Sequence, residues 1–197
     1  TDPKLEDTLW SSLFDPYAGC AMAVTAENLA EKHGITREQS DAFALRSQQL
    51  AHKAWTSGVM KDEVVPVEIK TRKGVEVFAA DDHMRPDSTL EGLAKLSAAF
   101  SKNGCVTAGN ASGIVDGAAA ILLASERAVK THGLKPLGRL THWATVGVEP
   151  SLMGMGPAPA TRRVLEKAGL SLSDIDLIEV NEAFAAQYLS VEKELGL

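Results

Sequence analysis

Apolar positions recur along this chain with two different periods. Between Thr36 and Gly58 the spacing is helical: Phe43, Ser47, Leu50 and Ala54 fall on one stripe at intervals of four, three and four. Thr36-Arg37-Glu38-Gln39 opens that stretch as a capping box, and Gly58 closes it. Just upstream, Thr25 is placed to cap a helix running to His33, with Gly34 at its C′ position. These predict a helical pair, preceded by 24 residues that read as loop. The period then changes to two. Val65, Val67 and Ile69 alternate with Pro66, Glu68 and Lys70, and Val75, Val77 and Ala79 alternate again beyond Thr71-Arg72-Lys73-Gly74. The pattern predicts a hairpin with one buried face, its first strand at an edge because Pro66 cannot donate to a ladder. A short helix is expected over residues 90–96.

From Thr107 the residues become small, and a continuous apolar run follows over residues 118–124. Such a run suits a strand buried on both faces or a core helix. The strand is preferred, because Ser125-Glu126-Arg127-Ala128 starts a new helix that Gly133 ends. Residues 137–146 read as another strand and residues 153–159 as a Gly/Pro/Met loop. Pro157 and Pro159 suit the first turn of a helix with Ala160, Val164, Leu165 and Ala168 as its stripe and Gly169 as its stop. Residues 176–180 read as a strand, with a helix from Glu182 or Ala183 onward. The fold class expected is therefore α/β: mixed α+β structure to about residue 114, then alternating strand and helix.

Composition narrows this picture. A chain of 197 residues can bury a core without disulfides or metals, as one large domain or two small ones. Twenty basic residues against 26 acidic ones give a net charge of −6, so a global basic footprint for nucleic acid is absent. No apolar run reaches the roughly 18 residues of a membrane span, and no leader pattern opens the sequence. Cys20 and Cys105 are too few for a disulfide framework and lack metal-type spacing, which makes a reducing, intracellular setting the default. His33, His52, His83, His132 and His142 are scattered without metal-ligand spacing.

Three segments could carry chemistry. The small residues of 108–113 leave backbone amides open to a ligand, with Ser112 adding a hydroxyl, yet the same run also suits close packing between layers. No Gly-Lys-Ser/Thr follows, so it is not a phosphate loop. Asn181-Glu182-Ala183-Phe184 follows a strand at its carboxyl end, where open α/β sheets place ligands. Asn181 suits an oxyanion donor there, although by residue type alone a helix N-cap is favoured, and both roles can coexist. Met153-Gly154-Met155-Gly156-Pro157 can line an apolar slot or form an ordinary buried loop. Cys105 has no local base or electropositive neighbour and reads as a buried, inert thiol. Lys70, Arg72 and Lys73 read as a solvated turn.

Val106-Thr-Ala-Gly-Asn-Ala-Ser-Gly113, Met153-Gly-Met-Gly-Pro157 and Glu179-Val-Asn-Glu-Ala-Phe-Ala185, with Thr25-Ala-Glu-Asn28 upstream, occur in the order and spacing found in thiolases. The chain resembles that family from about Lys4 to Leu197. The resemblance implies a layered α-β-α-β-α parent, with a loop domain that binds coenzyme A over residues 1–114. The end of an N-terminal core would lie at 115–136 and the first part of a C-terminal core at 137–197. It implies Claisen chemistry on 3-ketoacyl-CoA, with no permanent cofactor and CoA thioesters as substrates. Catalytic Asn181 would position a water in an oxyanion hole. Leu13 and Met22 would line the acyl-pantetheine tunnel. Arg85 would approach the adenine nucleotide, with Phe100 near it. Ala108 and Ser112 would contact pantetheine, and Met153, Ala183 and Phe184 would wall the catalytic pocket. No metal, nucleic acid or membrane is implied.

The family's nucleophilic cysteine lies upstream of the matched region. Its Gly-His-Pro segment and second cysteine lie beyond the position of Leu197. The resemblance therefore implies the middle of a thiolase, about half of one, inactive by itself, whose missing strands leave apolar faces uncovered. Ala21 stands where some biosynthetic members carry His, which points to a general 3-ketoacyl-CoA type. A homodimeric or homotetrameric parent in the bacterial cytoplasm or mitochondrial matrix is expected. The alternative is a non-catalytic module that binds CoA esters.

Overall fold

The computed structural model describes residues 5–197. Its helices are α1 (Thr8–Ser12), α2 (Met22–His33), α3 (Arg37–Ser57), α4 (Leu90–Ala94), α5 (Glu126–His132), α6 (Pro157–Ala168) and α7 (Ala185–Leu195). The start and stop chemistry of α3 is the one written in the sequence. Thr36 Oγ1 accepts from the Gln39 N–H (3.2 Å), Gln39 Oε1 accepts from the Thr36 N–H (2.8 Å), and Gly58 ends the helix at φ 77°. Ser125 caps α5, and Gly133 and Gly169 end α5 and α6 in the left-handed conformation.

The start of α2 differs from expectation. It begins three residues before Thr25, with Ala21 at the N-cap, and Thr25 is a buried helical residue whose hydroxyl donates to the Met22 carbonyl (2.6 Å). Residues 5–21 are also more ordered than a loop. Asp7 caps α1 through the Leu9 N–H (2.9 Å), and a two-residue pair joins β1 (Phe14–Asp15) to β2 (Cys20–Ala21).

The core is made of small side chains. Ala23, Ala26 and Ala30 of α2 pack with Cys105, Val106 and Ala186, and Ile35, Ala111 and Phe184 flank them. Alanines let helix axes approach closely, so α2 lies against α7, which buries Ala185, Ala186, Gln187, Ser190 and Val191. Across α7, Phe43 of α3 stacks on Tyr188 with ring centroids 4.6 Å apart. The buried face of α3 is Ser40, Asp41 and Ala44, a turn toward the N-terminus from the apolar stripe read in the sequence. A 3-10 segment, Pro150–Met155, rests on α2, where Asn28 Nδ2 donates to the Ser151 carbonyl (2.9 Å) and Gln187 Nε2 to the Gly154 carbonyl (3.1 Å). A Cβ at residue 154 would collide with Gln187 and press on Leu29, so this glycine is there for space.

The β structure is smaller than the sequence predicts. A hairpin forms from β3 (Val67–Thr71) and β4 (Gly74–Phe78), but neither face is buried. Its register explains why. Val67 pairs with Phe78 and Lys70 with Val75, so Val67 and Ile69 share one face with Phe78 while Val75 and Val77 lie on the other. The apolar residues are split between two faces, and both are exposed. Residues 118–124, 137–146 and 176–180 form no ladder among the described residues. Ile121, Leu122 and Leu137 are 85%, 85% and 106% exposed. A strand is completed only by a neighbour that takes its N–H and C=O groups, and none lies beside these segments.

Candidate functional site

Residues 105–113 form a loop suspended from two helices by carboxylates. At one end, Glu27 of α2 accepts from the N–H groups of Cys105 (2.9 Å) and Val106 (3.0 Å) and from the Cys105 thiol (3.4 Å). At the other end, Asn110 is fully engaged. Its Oδ1 accepts from the Thr107 N–H (2.8 Å), and its Nδ2 donates to the Cys105 carbonyl (2.8 Å) and to Asp41 Oδ1 (2.8 Å). Arg37 holds the other oxygen of Asp41 through Nε (2.7 Å), and its Nη2 donates to the carbonyls of Leu93 (2.7 Å) and Leu96 (2.9 Å).

The far half of the loop is laced to the segment that precedes α7. The Ser112 N–H donates to the Ala183 carbonyl (2.9 Å), the Ala185 N–H donates to the Asn110 carbonyl (2.9 Å), and Ala111 bridges Phe184 in antiparallel fashion. The two chain segments that the sequence marked as chemically interesting are therefore zipped together. Between them opens a cleft of about 510 Å³, lined by Ser47 and Gln48 of α3, His83, Ser112, Asn181, Glu182 and Ala183, among others.

The close-packing reading of the small-residue loop is seen at its glycines, whereas the amides of Gly109, Asn110 and Ser112 are not left open: they donate to Thr107 Oγ1, the Thr107 carbonyl and the Ala183 carbonyl. None of its glycines has a positive φ. Instead, a Cβ at Gly109 would collide with Leu93 and Leu96, one at Gly113 with the His83 imidazole, and one at Gly104 just upstream with Glu27. The glycines serve close packing, while Ala108 and Ser112 stay open to solvent.

Ser112, Asn181 and Ala183 line the cleft, and half-buried Phe184 backs it through the bridge to Ala111. Asn181 caps no helix: α7 starts four residues later with Phe184 at its N-cap, and the Asn181 side chain is exposed. The Arg85 N–H donates to Gln48 Oε1 (2.8 Å), which joins its segment to the cleft wall. Leu13 and Met22 are half-buried and linked by a 2.9 Å bond from the Met22 N–H to the Leu13 carbonyl. They do not line the cleft. Nor do Met153, exposed on the 3-10 segment, and Ala108. Phe100 lines a second groove of about 500 Å³ with Glu27, Ile35, Arg37 and Cys105.

The Cys105 thiol is pushed up to about 11, first by burial, then by the charge of Glu27 and the hydrogen bond to it. A thiol so held is almost wholly protonated at neutral pH and a poor nucleophile. Among the described residues, no group of three or more His, Cys, Asp or Glu side chains could hold a metal ion, and no helix is long and apolar enough to cross a membrane. Sequence reasoning assigns no site role to Glu27, Arg37, Asp41, Asn110 or His83, although Glu27 and Asn110 stand inside the 25–28 and 106–113 motif segments. A signal existed for one pair, since Arg37 and Asp41 stand at helical i, i+4 spacing. Nothing in the sequence joined Asp41 to Asn110, 69 positions away.

Comparison with known proteins fits this geometry. The family profile described as "Thiolase, N-terminal domain" matches residues 1–127, and "Thiolase, C-terminal domain" matches residues 134–197. The chain is 54% identical to the mitochondrial 3-ketoacyl-CoA thiolase of Homo sapiens, over all of this chain and 50% of that protein. It is 53% identical to the acetyl-CoA acetyltransferase of Syntrophomonas wolfei, over 98% of this chain and 48% of that protein. The crystal structure of the human mitochondrial enzyme in complex with CoA superimposes on the whole chain with a TM-score of 0.92 at 53% identity, covering 49% of that structure. The Bacillus anthracis acetyl-CoA acetyltransferase superimposes with a TM-score of 0.92 at 53% identity, covering 50% of that structure. The chain thus spans about half the length of the curated relatives it matches, and within that span it has their fold. It belongs to the thiolase family.

Proposed function

We propose that this chain forms the CoA-facing part of an acyltransferase that thiolyses 3-ketoacyl-CoA or, in reverse, condenses acetyl-CoA. The observation that carries the reading is the lacing of the 105–113 loop to residues 183–185, which puts Ser112 and Asn181 on one cleft. Both half-reactions put negative charge on a thioester oxygen. A fixed neutral amide such as Asn181 stabilises that oxyanion, directly or through a water, more than it stabilises the ground-state carbonyl. Losing one such donor typically lowers kcat by about 10²–10³.

The remaining assignments rest on the family resemblance, since Leu13, Met22, Arg85, Phe100, Ala108 and Met153 do not line the cleft. Ser112 and Ala108 contact pantetheine, and Arg85 meets the nucleotide with Phe100 near it. Leu13, Met22, Met153, Ala183 and Phe184 shape the acyl path. Residues 1–114 act as the CoA-binding loop domain, 115–136 as the end of one core and 137–197 as the start of the next. The acyl-accepting thiolate and its acid/base partners come from outside this chain, because Cys105 is buried beside a carboxylate and Cys20 lies half-buried in β2. Relatives named as mitochondrial and from bacteria support a matrix or cytoplasmic setting. The complete enzyme is read, from the family resemblance alone, as a dimer or tetramer.

Calorimetric titration of the chain with CoA, beside an acetoacetyl-CoA thiolysis assay, tests this. The expected result is saturable binding that Arg85→Ala weakens and Ser112→Trp abolishes, with no turnover. Absence of binding at millimolar CoA, or enzyme-level thiolysis by the chain alone, would overturn the proposal.

A further inference from the structure

We propose that the buried Asp41–Asn110 pair, anchored through Arg37 to residues 93 and 96, is a positioning device that holds the Ser112 and Asn181 sides of the cleft at one spacing. The inference rests on the reading of that cleft as the CoA-thioester site. Asp41 and Asn110 are 3% and 5% exposed, so neither can exchange its partners for water. Asn110 is a hub. Its side chain binds the start of the loop at Cys105 and Thr107, and its main-chain carbonyl takes the Ala185 N–H from the opposite wall.

An amide side chain can sit in two orientations that exchange its donor for its acceptor. Asp41 removes that freedom. An ionised carboxylate only accepts, so it receives Nδ2 and directs Oδ1 to the Thr107 N–H. Asparagine at position 41 would have to turn an N–H₂ toward either Arg37 or Asn110, donor against donor. Arg37 extends the linkage to Leu93 and Leu96. The side chains of those leucines fill the space at Gly109. Four parts of the chain are joined at one buried point: α3, residues 93–96, the 105–113 loop and residues 183–185. Neither Asp41 nor Arg37 lines the cleft, so their effect on a ligand is exerted through Asn110.

The test uses the chain itself, with CoA as probe, in D41N, N110D, the charge-swapped D41N/N110D and R37M. In the ligand-free chain, hydrogen exchange is followed at the Ser112 and Ala185 N–H groups, which cross between the two walls, with the Leu29 N–H of α2 as internal reference. D41N is expected to speed exchange at both crossing amides about tenfold while Leu29 is unchanged, and to weaken CoA binding about tenfold. The charge-swapped pair is expected to recover only part of both losses: it restores a donor facing an acceptor between positions 41 and 110, but sets a carboxylate oxygen against the Cys105 carbonyl that Asn110 Nδ2 binds. R37M, which leaves the Asp41–Asn110 bond in place, is expected to shift both readouts the same way by about threefold, and it keeps the test open if D41N does not fold.

Unchanged exchange at Ser112 and Ala185 in D41N would overturn the proposal. So would an equal rise at Leu29, which marks general loosening, and so would an unchanged CoA affinity despite faster exchange. Failure of the unmodified chain to bind CoA would instead strike the reading of the cleft, and the exchange data would still decide the linkage.

Discussion

Two parts of this molecule are both rich in apolar residues and treat them in opposite ways. In the wedge formed by α2, the first half of α3, the 105–113 loop and α7, alanines and valines are buried and every polar group of Asn110 is paired. Over residues 114–125, 134–147 and 170–183, leucines and isoleucines stand in solvent without a ladder. The difference is one of partners, not of composition. A helix satisfies its own backbone and needs a neighbour for one stripe only. A strand leaves its backbone unsatisfied until another strand arrives. Helices whose neighbours lie within the chain are therefore complete, and the apolar runs suited to strands are not.

The contrast breaks most visibly under truncation. Leu29→Ala, in the wedge, is expected to lower unfolding free energy by about 2–5 kcal/mol, whereas Leu122→Ala is expected to change it by less than about 0.5 kcal/mol. Urea denaturation followed by circular dichroism compares the two. A cost at Leu122 matching that at Leu29 would show that the open segments are packed after all.

Added volume gives a smaller effect with the same sense. Gly154→Ala must displace Gln187 and Leu29, at about 1–3 kcal/mol, while Gly117→Ala and Gly138→Ala meet open space and are expected to be neutral. Thermal melting of the three variants checks this.

The smallest effect is chemical. Glu27 raises the Cys105 thiol by its charge and hydrogen bond, after burial. Glu27→Gln removes the charge, so the pKa falls from about 11 and alkylation at pH 8 quickens by several-fold, with burial still limiting it. The sign for stability runs the other way with pH. A thiol raised in the folded state loses its proton later than in the unfolded state, so the native chain weakens as pH rises from about 9 to 11. In Glu27→Gln that window narrows from its upper end. Timed alkylation and denaturation at several pH values read both effects.

Much of the helical architecture was legible because its signals are local. The Thr36/Gln39 box and the glycines at 58, 133 and 169 act within a turn of the element they bound. What failed was whatever depended on a distant partner. Thr25 looked like a cap because nothing local reveals that α2 starts at Met22. The hairpin was located, but its odd-to-even register, which splits Val67 and Val77 onto different faces, is set by the turn and not by alternation. Asn181 suited both a cap and an oxyanion donor, because both stand between a strand end and a helix; the cap position falls to Phe184, since α7 starts only at Ala185, where the chain is laced to the loop. The segments 108–113, 153–157 and 181–184 stood out by their residue types before any resemblance, while the carboxylates that suspend the loop, Glu27 in the 25–28 motif and Asp41 in α3, lay in helices that looked structural.

The central claim is that the cleft between the 105–113 loop and residues 181–185 is where CoA thioesters bind. Backbone amide chemical shifts of the isotope-labelled chain, followed during titration with CoA, test it most directly. The account predicts shifts concentrated at Ser112, Asn181 and Ala183, extending to Arg85, with Glu31 and Ile35 of the second groove unmoved. Shifts centred on Glu31 and Ile35, or none at saturating CoA, would contradict it.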